Sequence, residues 1–265
     1  MPAIQIEHVE VDYAQRRILN GINLEIESGE FVSIVGQTGC GKSTLLRLIL
    51  AEEAPTSGRV LVNGRQRSQP DRSCGYVPQK YSLFPDKTVL DNVTFGLEVG
   101  AGLLGRWQKR HEFREQALRY LRHTGLNEAE AAKYPHQLSG GMQQRVAIAQ
   151  ALILHPPILL MDEAFSALDP GTRAGMQRLI KELWRESGAT IVFVTHNTRE
   201  AVCLGTRIVA LTKDPSGASV ALDIPVKHAG FDSEEQEIAG LVRQVEAATL
   251  PPDAYKLDRP SYVIL

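Results

Sequence analysis

Apolar residues open the chain in near-alternation, Ile4 and Ile6 and then Val9 and Val11. Ile22, Leu24 and Ile26 alternate with Asn23, Glu25 and Glu27, the period-two pattern of a half-exposed strand. Ser28-Gly29-Glu30 reads as a turn, and Phe31-Val32-Ser33-Ile34-Val35 as a buried strand ending at a glycine. A helix follows from Lys42, with Leu45, Leu46, Leu48 and Ile49 as its apolar positions. Residues 58–62 predict a short strand closed by a tight turn at Asn63-Gly64. From Thr88 to about Ala151 the period becomes helical. There 112–123 carries one apolar face (Phe113, Ala117, Leu118, Tyr120, Leu121), and the glycine-rich piece 96–105 reads as a hinge or surface loop. Ser139 predicts the N-cap of a helix through Met142, Val146, Ile148, Ala149 and Leu152.

The last third returns to strand–helix alternation. Strands are expected at 157–162, 189–195, 207–211 and 219–224, and helices at 171–187 and 199–203. Beyond Pro225 lies a weakly apolar tail with one helix, roughly 233–248, broken by Pro251-Pro252. Alternating strands and helices imply a parallel or mixed sheet covered by helices, with the helical block as an insertion. The expected organisation is a core of 1–87 and 152–224, a helical subdomain of 88–151, and a tail of 225–265.

Composition narrows the setting. Of 265 residues, 43% are hydrophobic and 23% charged, ordinary for a folded soluble chain. Lys and Arg total 29 against 31 Asp and Glu, a net charge of −2. That balance gives no bulk attraction to nucleic acid or acidic lipid, and leaves room only for a local basic patch. The start lacks a basic region followed by an apolar run, so no signal peptide is expected. No stretch approaches ~18 continuous apolar residues, so no membrane span is expected. Cys40, Cys74 and Cys203 lack CxxC spacing, which predicts neither a disulfide framework nor a zinc site and fits a reducing, cytoplasmic setting.

Two segments carry chemistry. Gly36-Gln37-Thr38-Gly39-Cys40-Gly41-Lys42-Ser43, continued by Thr44, fits G-x-x-x-x-G-K-[ST] and lies between an apolar strand and a helix, the context that such a phosphate loop needs. Glycines let the backbone curl its N–H groups inward at phosphate oxygens, and the helix N-terminus adds positive potential. Lys42 is placed to reach the β- and γ-phosphates of ATP or a close relative, and the Ser43 hydroxyl to ligate Mg²⁺. Cys40 occupies a free position of the pattern, where a small side chain fits. Further on, Ile158-Leu159-Leu160-Met161 ends in Asp162 and Glu163, and a buried strand ending in two carboxylates calls for a cation or partner. Asp162 suits a Mg²⁺ role opposite Ser43, and Glu163, one residue on, suits the polarisation of an attacking water.

Leu138-Ser139-Gly140-Gly141-Met142-Gln143-Gln144-Arg145 reads by itself as a capped helix start softened by two glycines, which is also a ready anion site. It resembles the LSGGQ signature of ABC transporter ATPase subunits, with Met142 where glutamine is usual. Other elements of that family stand in order over about 4–224. Tyr13 matches the aromatic residue that stacks on adenine, and otherwise reads as a half-buried strand tyrosine. Gln79, in Val77-Pro78-Gln79, matches the glutamine that touches Mg²⁺ and the attacking water. Ser166-Ala167-Leu168-Asp169 matches the loop that crosses the dimer interface, and His196 the switch histidine that contacts the γ-phosphate.

The resemblance implies an α/β fold: a P-loop NTPase, RecA-like core with a mixed sheet, an N-terminal antiparallel β part and an inserted α-helical subdomain. It implies two ATPase subunits, identical or homologous, stacked head to tail, so that Ser139, Gly140 and Gly141 act on the partner's ATP. It further implies a membrane permease, indirectly a solute-binding protein, no nucleic acid, and a place at the cytoplasmic face of the cell membrane. Leu83-Phe84-Pro85-Asp86-Lys87-Thr88-Val89-Leu90-Asp91-Asn92-Val93 resembles the nitrate, sulfonate and taurine importer branch, with polyamine and osmolyte importers similarly worded. A soluble ABC-type ATPase and a small-molecule P-loop kinase are the rival readings, and the kinase would not need 138–144.

Overall fold

A computed structural model describes residues 1–14, 16–227 and 235–250, with the side chain of Leu103 left out of the description. The strands, in chain order, are β1 (Pro2–Tyr13), β2 (Arg16–Glu27), β3 (Phe31–Gly36), β4 (Ser57–Val62), β5 (Arg65–Gln66), β6 (Cys74–Val77), β7 (Ile158–Asp162), β8 (Thr190–Thr195), β9 (Arg207–Asp214) and β10 (Gly217–Pro225). The helices are α1 (Lys42–Leu50), α2 (Val89–Gln108), α3 (Arg110–His123), α4 (Glu128–Ala131), α5 (Gly140–Leu152), α6 (Pro170–Ser187), α7 (Thr198–Leu204) and α8 (Glu235–Thr249), with a 3-10 turn at Pro135–Gln137. They fall into two compact units, Met1–Gln69 with Val194–Leu265, and Pro70–Phe193.

In the first unit the strand order is β5-β4-β1-β2-β10-β9-β3. The β1–β2 and β1–β4 pairs are antiparallel, while β3 runs parallel to β9 from Val32↔Arg207 to Gly36↔Leu211. The one-residue slip in the alternation of β1, from Ile6 to Val9, is a bulge: the register shifts there and His8 stands at φ 49°. The His8 N–H, left out of the ladder, donates to Asn23 Oδ1 at 2.9 Å. Asn63 and Gly64 turn β4 into β5 at positive φ. The helix expected in the tail is α8, whose Ile238 and Val245 are buried with Val35, Ala201, Val202, Ile208, Ala210 and Val226. The expected beginning of that helix at Ser233 and its break at Pro251-Pro252 lie outside the described residues.

In the second unit β8, β7 and β6 are neighbours, and β6 pairs parallel to β7 from Cys74↔Ile158 to Val77↔Met161. A separate apolar core joins α2, α3, α4 and α5 through Val89, Val93, Ala117, Leu121, Ala131, Val146, Ala149 and Ile153. The piece 96–105 is helix rather than loop, because Leu97 packs on this core. The break is confined to Gly102 (φ 68°, ψ −179°). Among the described residues, no helix is long and apolar enough to cross a membrane.

Candidate functional site

The first unit holds the glycine loop. Strand β3 is buried along its whole length and delivers the chain to Gly36. A Cβ at Gly36 would stand 2.7 Å from Cys40 Sγ and 2.8 Å from the Leu211 carbonyl oxygen, so only glycine allows this curl. The loop then rises to exposed Gln37, Thr38 and Gly39 and returns through Gly41 at φ 95°. Lys42 is 5% exposed, and its ammonium donates to the carbonyls of Gly36 (2.7 Å) and Gln37 (3.0 Å). Cys40 is buried, and that burial pushes its thiol pKa up, so it serves as packing under the loop.

The start of α1 is left open. Gly41 offers no side-chain cap, and the first turn carries no acidic residue. Elsewhere Thr88, Ser139, Asp169 and Asn197 cap α2, α5, α6 and α7 with a side-chain oxygen. An uncapped helix start keeps orphan N–H groups and the positive end of the helix dipole for an outside anion. Ser43 is half-buried and Thr44 buried on the first turn.

Tyr13 and His196 belong to the same unit. Tyr13, at the end of β1, is 42% exposed. Its phenol is raised in pKa, first by burial and then by a hydrogen bond to Glu53. An exposed ring face suits adenine stacking, yet the same tyrosine is also a strand-end residue tied to Glu53. His196 is exposed directly after β8, where Asn197 caps α7 by accepting from the Glu200 N–H at 3.1 Å.

The second unit holds the acidic strand end. All of β7 is buried, Asp162 included. Glu163 takes φ 46°, which turns it out of the strand direction that Asp162 follows. Gln79 Nε2 donates to Glu163 Oε2 at 2.8 Å, so the structure brings these two together. The start of α5 is capped as expected, Ser139 Oγ accepting from the Met142 N–H at 3.3 Å. Gly141 abuts the 166–169 loop: a Cβ there would stand 3.3 Å from the Ala167 carbonyl oxygen. Gly140 faces the Tyr81 ring. Asp169 caps α6 by accepting from the Thr172 N–H at 3.0 Å, and that bond holds its carboxyl below the usual range.

Two contacts escaped the sequence reading. Lys213, on β9, donates to the Gly39 carbonyl at 2.7 Å. Gln144, on α5, donates to the Pro78 carbonyl at 3.3 Å, beside Gln79. No local pattern could reveal either, since each depends on pairing across the fold.

The residues fit a nucleotide phosphate chain with Mg²⁺. Gly39 has nothing within 4 Å of where a Cβ would stand, so the loop mouth is open. Among the described residues no group of three or more His, Cys, Asp or Glu side chains could hold a metal. Mg²⁺ does not require one, because it keeps several waters and takes one or two carboxylates with substrate phosphates. The first unit offers the Ser43 hydroxyl, and the second the Gln79 amide and the Asp162 carboxylate, each a hard oxygen donor of the kind such an ion takes.

Comparison with known proteins agrees with this chemistry. Residues 19–166 match a family model described as ABC transporter. An uncharacterized ABC transporter ATP-binding protein of Methanocaldococcus jannaschii is 46% identical over 199 residues, 75% of this chain and 72% of that protein. An aliphatic sulfonates import ATP-binding protein of Pectobacterium atrosepticum is 38% identical over 250 residues, 94% of this chain and 89% of its own. Among solved structures, a dimeric ATP-binding cassette in a post-hydrolysis state, bound to ADP and Pi, superposes with a TM-score of 0.75 at 36% identity. That match covers 85% of this chain and 99% of the cassette.

Proposed function

Because this chain belongs to the ABC transporter family of ATP-binding proteins, we propose that it hydrolyses ATP to power an importer of a small anionic solute of the sulfonate class. The observation that carries this reading is the uncapped start of α1 beneath a loop held by buried Lys42. The solute class is supported by the sulfonate import relatives, which match most of the chain.

Phosphoryl transfer needs positioning and charge neutralisation more than covalent help. Lys42 exchanges the Gly36 and Gln37 carbonyls for β- and γ-phosphate oxygens, while the backbone N–H groups of 36–44 cradle the chain. Ser43, Gln79 and Asp162 are the residues that would hold Mg²⁺, which would supply charge neutralisation at the phosphates. Glu163 accepts a hydrogen from the attacking water, and the Gln79 amide fixes the carboxylate that does so. His196 contacts the γ-phosphate, and Tyr13 stacks on the base. Ser139, Gly140 and Gly141 act on the nucleotide of a second ATPase subunit, with Asp169 at the interface between the two. A membrane permease carries the solute, a solute-binding protein delivers it, and this chain sits peripherally at the cytoplasmic face.

The test is Glu163→Gln. ATP binding should persist, hydrolysis should fall about 10²-fold or more, and an ATP-dependent dimer should accumulate on size-exclusion chromatography. Unchanged turnover would remove Glu163 from the reaction.

A further inference from the structure

The turn from α2 into α3 carries a surface that ATP hydrolysis does not use. Trp107 is 87% exposed and Leu104 82%, with Val99 at 59% before the break at Gly102. Apart from Met1, these are the most exposed large apolar side chains among the described residues. Exposed Arg106, Lys109 and Arg110 flank the apolar pair. Arg72 joins them, its guanidinium 2.9 Å from where a Cβ on Gly100 would stand. The acidic neighbours are Glu98, which pairs with Arg106 at 2.9 Å, Glu112, and Asp71, which precedes Arg72 and accepts from Ser73; no acid lies between Glu98 and Glu112 in sequence.

Large apolar side chains left in water at one turn mark an interaction surface. The surrounding cations choose among partners. Tryptophan settles at the headgroup level of a bilayer, where its ring is half apolar and half wet. Lysine and arginine beside it are drawn to anionic lipid phosphates, and the two effects add. The chain's net charge of −2 does not oppose this, because screening confines the attraction to within about 8 Å at physiological salt.

We propose that the α2–α3 turn docks on an anionic lipid surface, with Leu104 and Trp107 entering the headgroup region and Arg72, Arg106, Lys109 and Arg110 meeting lipid phosphates. This contact needs neither nucleotide nor permease, so it stands apart from the transport reading. It gives the subunit its own hold on the membrane.

The test uses the full chain and sedimentation with vesicles. Vesicles containing anionic phosphatidylglycerol should carry the protein down, and purely zwitterionic phosphatidylcholine vesicles should carry down far less. Each cation near an anionic surface is worth about a fivefold gain in binding, so R106E/K109E/R110E should weaken it by more than tenfold. W107A should weaken it severalfold, and raised salt should weaken the parent protein. In a Trp184→Phe background, leaving Trp107 as the sole tryptophan, emission should shift to the blue on anionic vesicles alone. All altered positions at the turn are exposed, so ATP binding should stay as in the parent and certify the fold. Equal sedimentation of parent and charge-reversed protein would overturn the proposal. So would vesicle indifference together with a loss of permease co-purification in W107A, which would make the turn a protein contact.

Discussion

Lys213, on β9, donates to the Gly39 carbonyl across 174 positions of sequence. The bond fixes the exposed tip of the phosphate loop, while Lys42 fixes its base through Gly36 and Gln37. Lys42 releases its carbonyls to phosphate oxygens, but a tip that stays pinned by Lys213 loses less conformational freedom when the loop closes on phosphates. Lys213→Met keeps most of the side-chain stem and removes the donor. We expect ATP affinity to fall about tenfold, the scale of one charge-assisted hydrogen bond, with the urea midpoint of unfolding unmoved. Nucleotide titration of the variant checks this, and unchanged affinity would make the contact incidental. Glu163 shows a different residue-scale feature. Its left-handed backbone costs on the order of 1 kcal/mol in a residue with a Cβ, and it turns the carboxylate away from Asp162 to where Gln79 donates to it. From the sequence alone, adjacency already placed the two carboxylates on different directions, but the Gln79 partner 84 positions away needed the fold.

At the scale of elements, α8 is the part of the tail whose place the packing explains. Ile238 and Val245 are buried against α7 and β9 residues, and Arg199 of α7 meets Glu235 of α8 at 2.7 Å. That ion pair is exposed and contributes little; the apolar face holds the helix. Ile238→Ala should destabilise the protein by about 2–4 kcal/mol, read from urea unfolding, whereas Glu235→Ala should leave the midpoint nearly unchanged. Elements with a clean period were legible beforehand. The alternation of β2, the apolar run of β3 and the capped start of α5 each follow from local chemistry. Strand β6 was not legible, because four residues including Gly75 have too short a pattern, and they exist as a strand through their register with β7. The glycines of 96–105 misled for the opposite reason. Glycine lowers helix propensity, but burial of the Leu97 face outweighs that local cost everywhere except Gly102. The candidate site divides the same way: 36–44 is one contiguous motif, whereas Gln144 beside Pro78 is a product of packing.

At the scale of the whole molecule, the consequence of the proposed pairing is that no chain owns a complete site. Two variants isolate the halves. Lys42→Met removes the phosphate-binding ammonium. Ser139→Asp keeps the cap of α5, since aspartate caps as well as serine, but sets a negative charge where the partner's γ-phosphate would stand. Each variant alone should be silent, because in either homodimer both sites carry the defect. In a mixed dimer one site gathers both defects and the other neither, pairing the Lys42 of one chain with the Ser139 of the other. Random mixing makes half of the dimers mixed, so about a quarter of the parent activity should return when equal amounts are combined. The recovered rate should peak near the equal mixture and fall toward either pure variant. A mixture as silent as its parts at every ratio would place Ser139 back among ordinary helix caps. It would also leave the loop 36–44 as the site of a lone enzyme rather than the half that ATP joins to another.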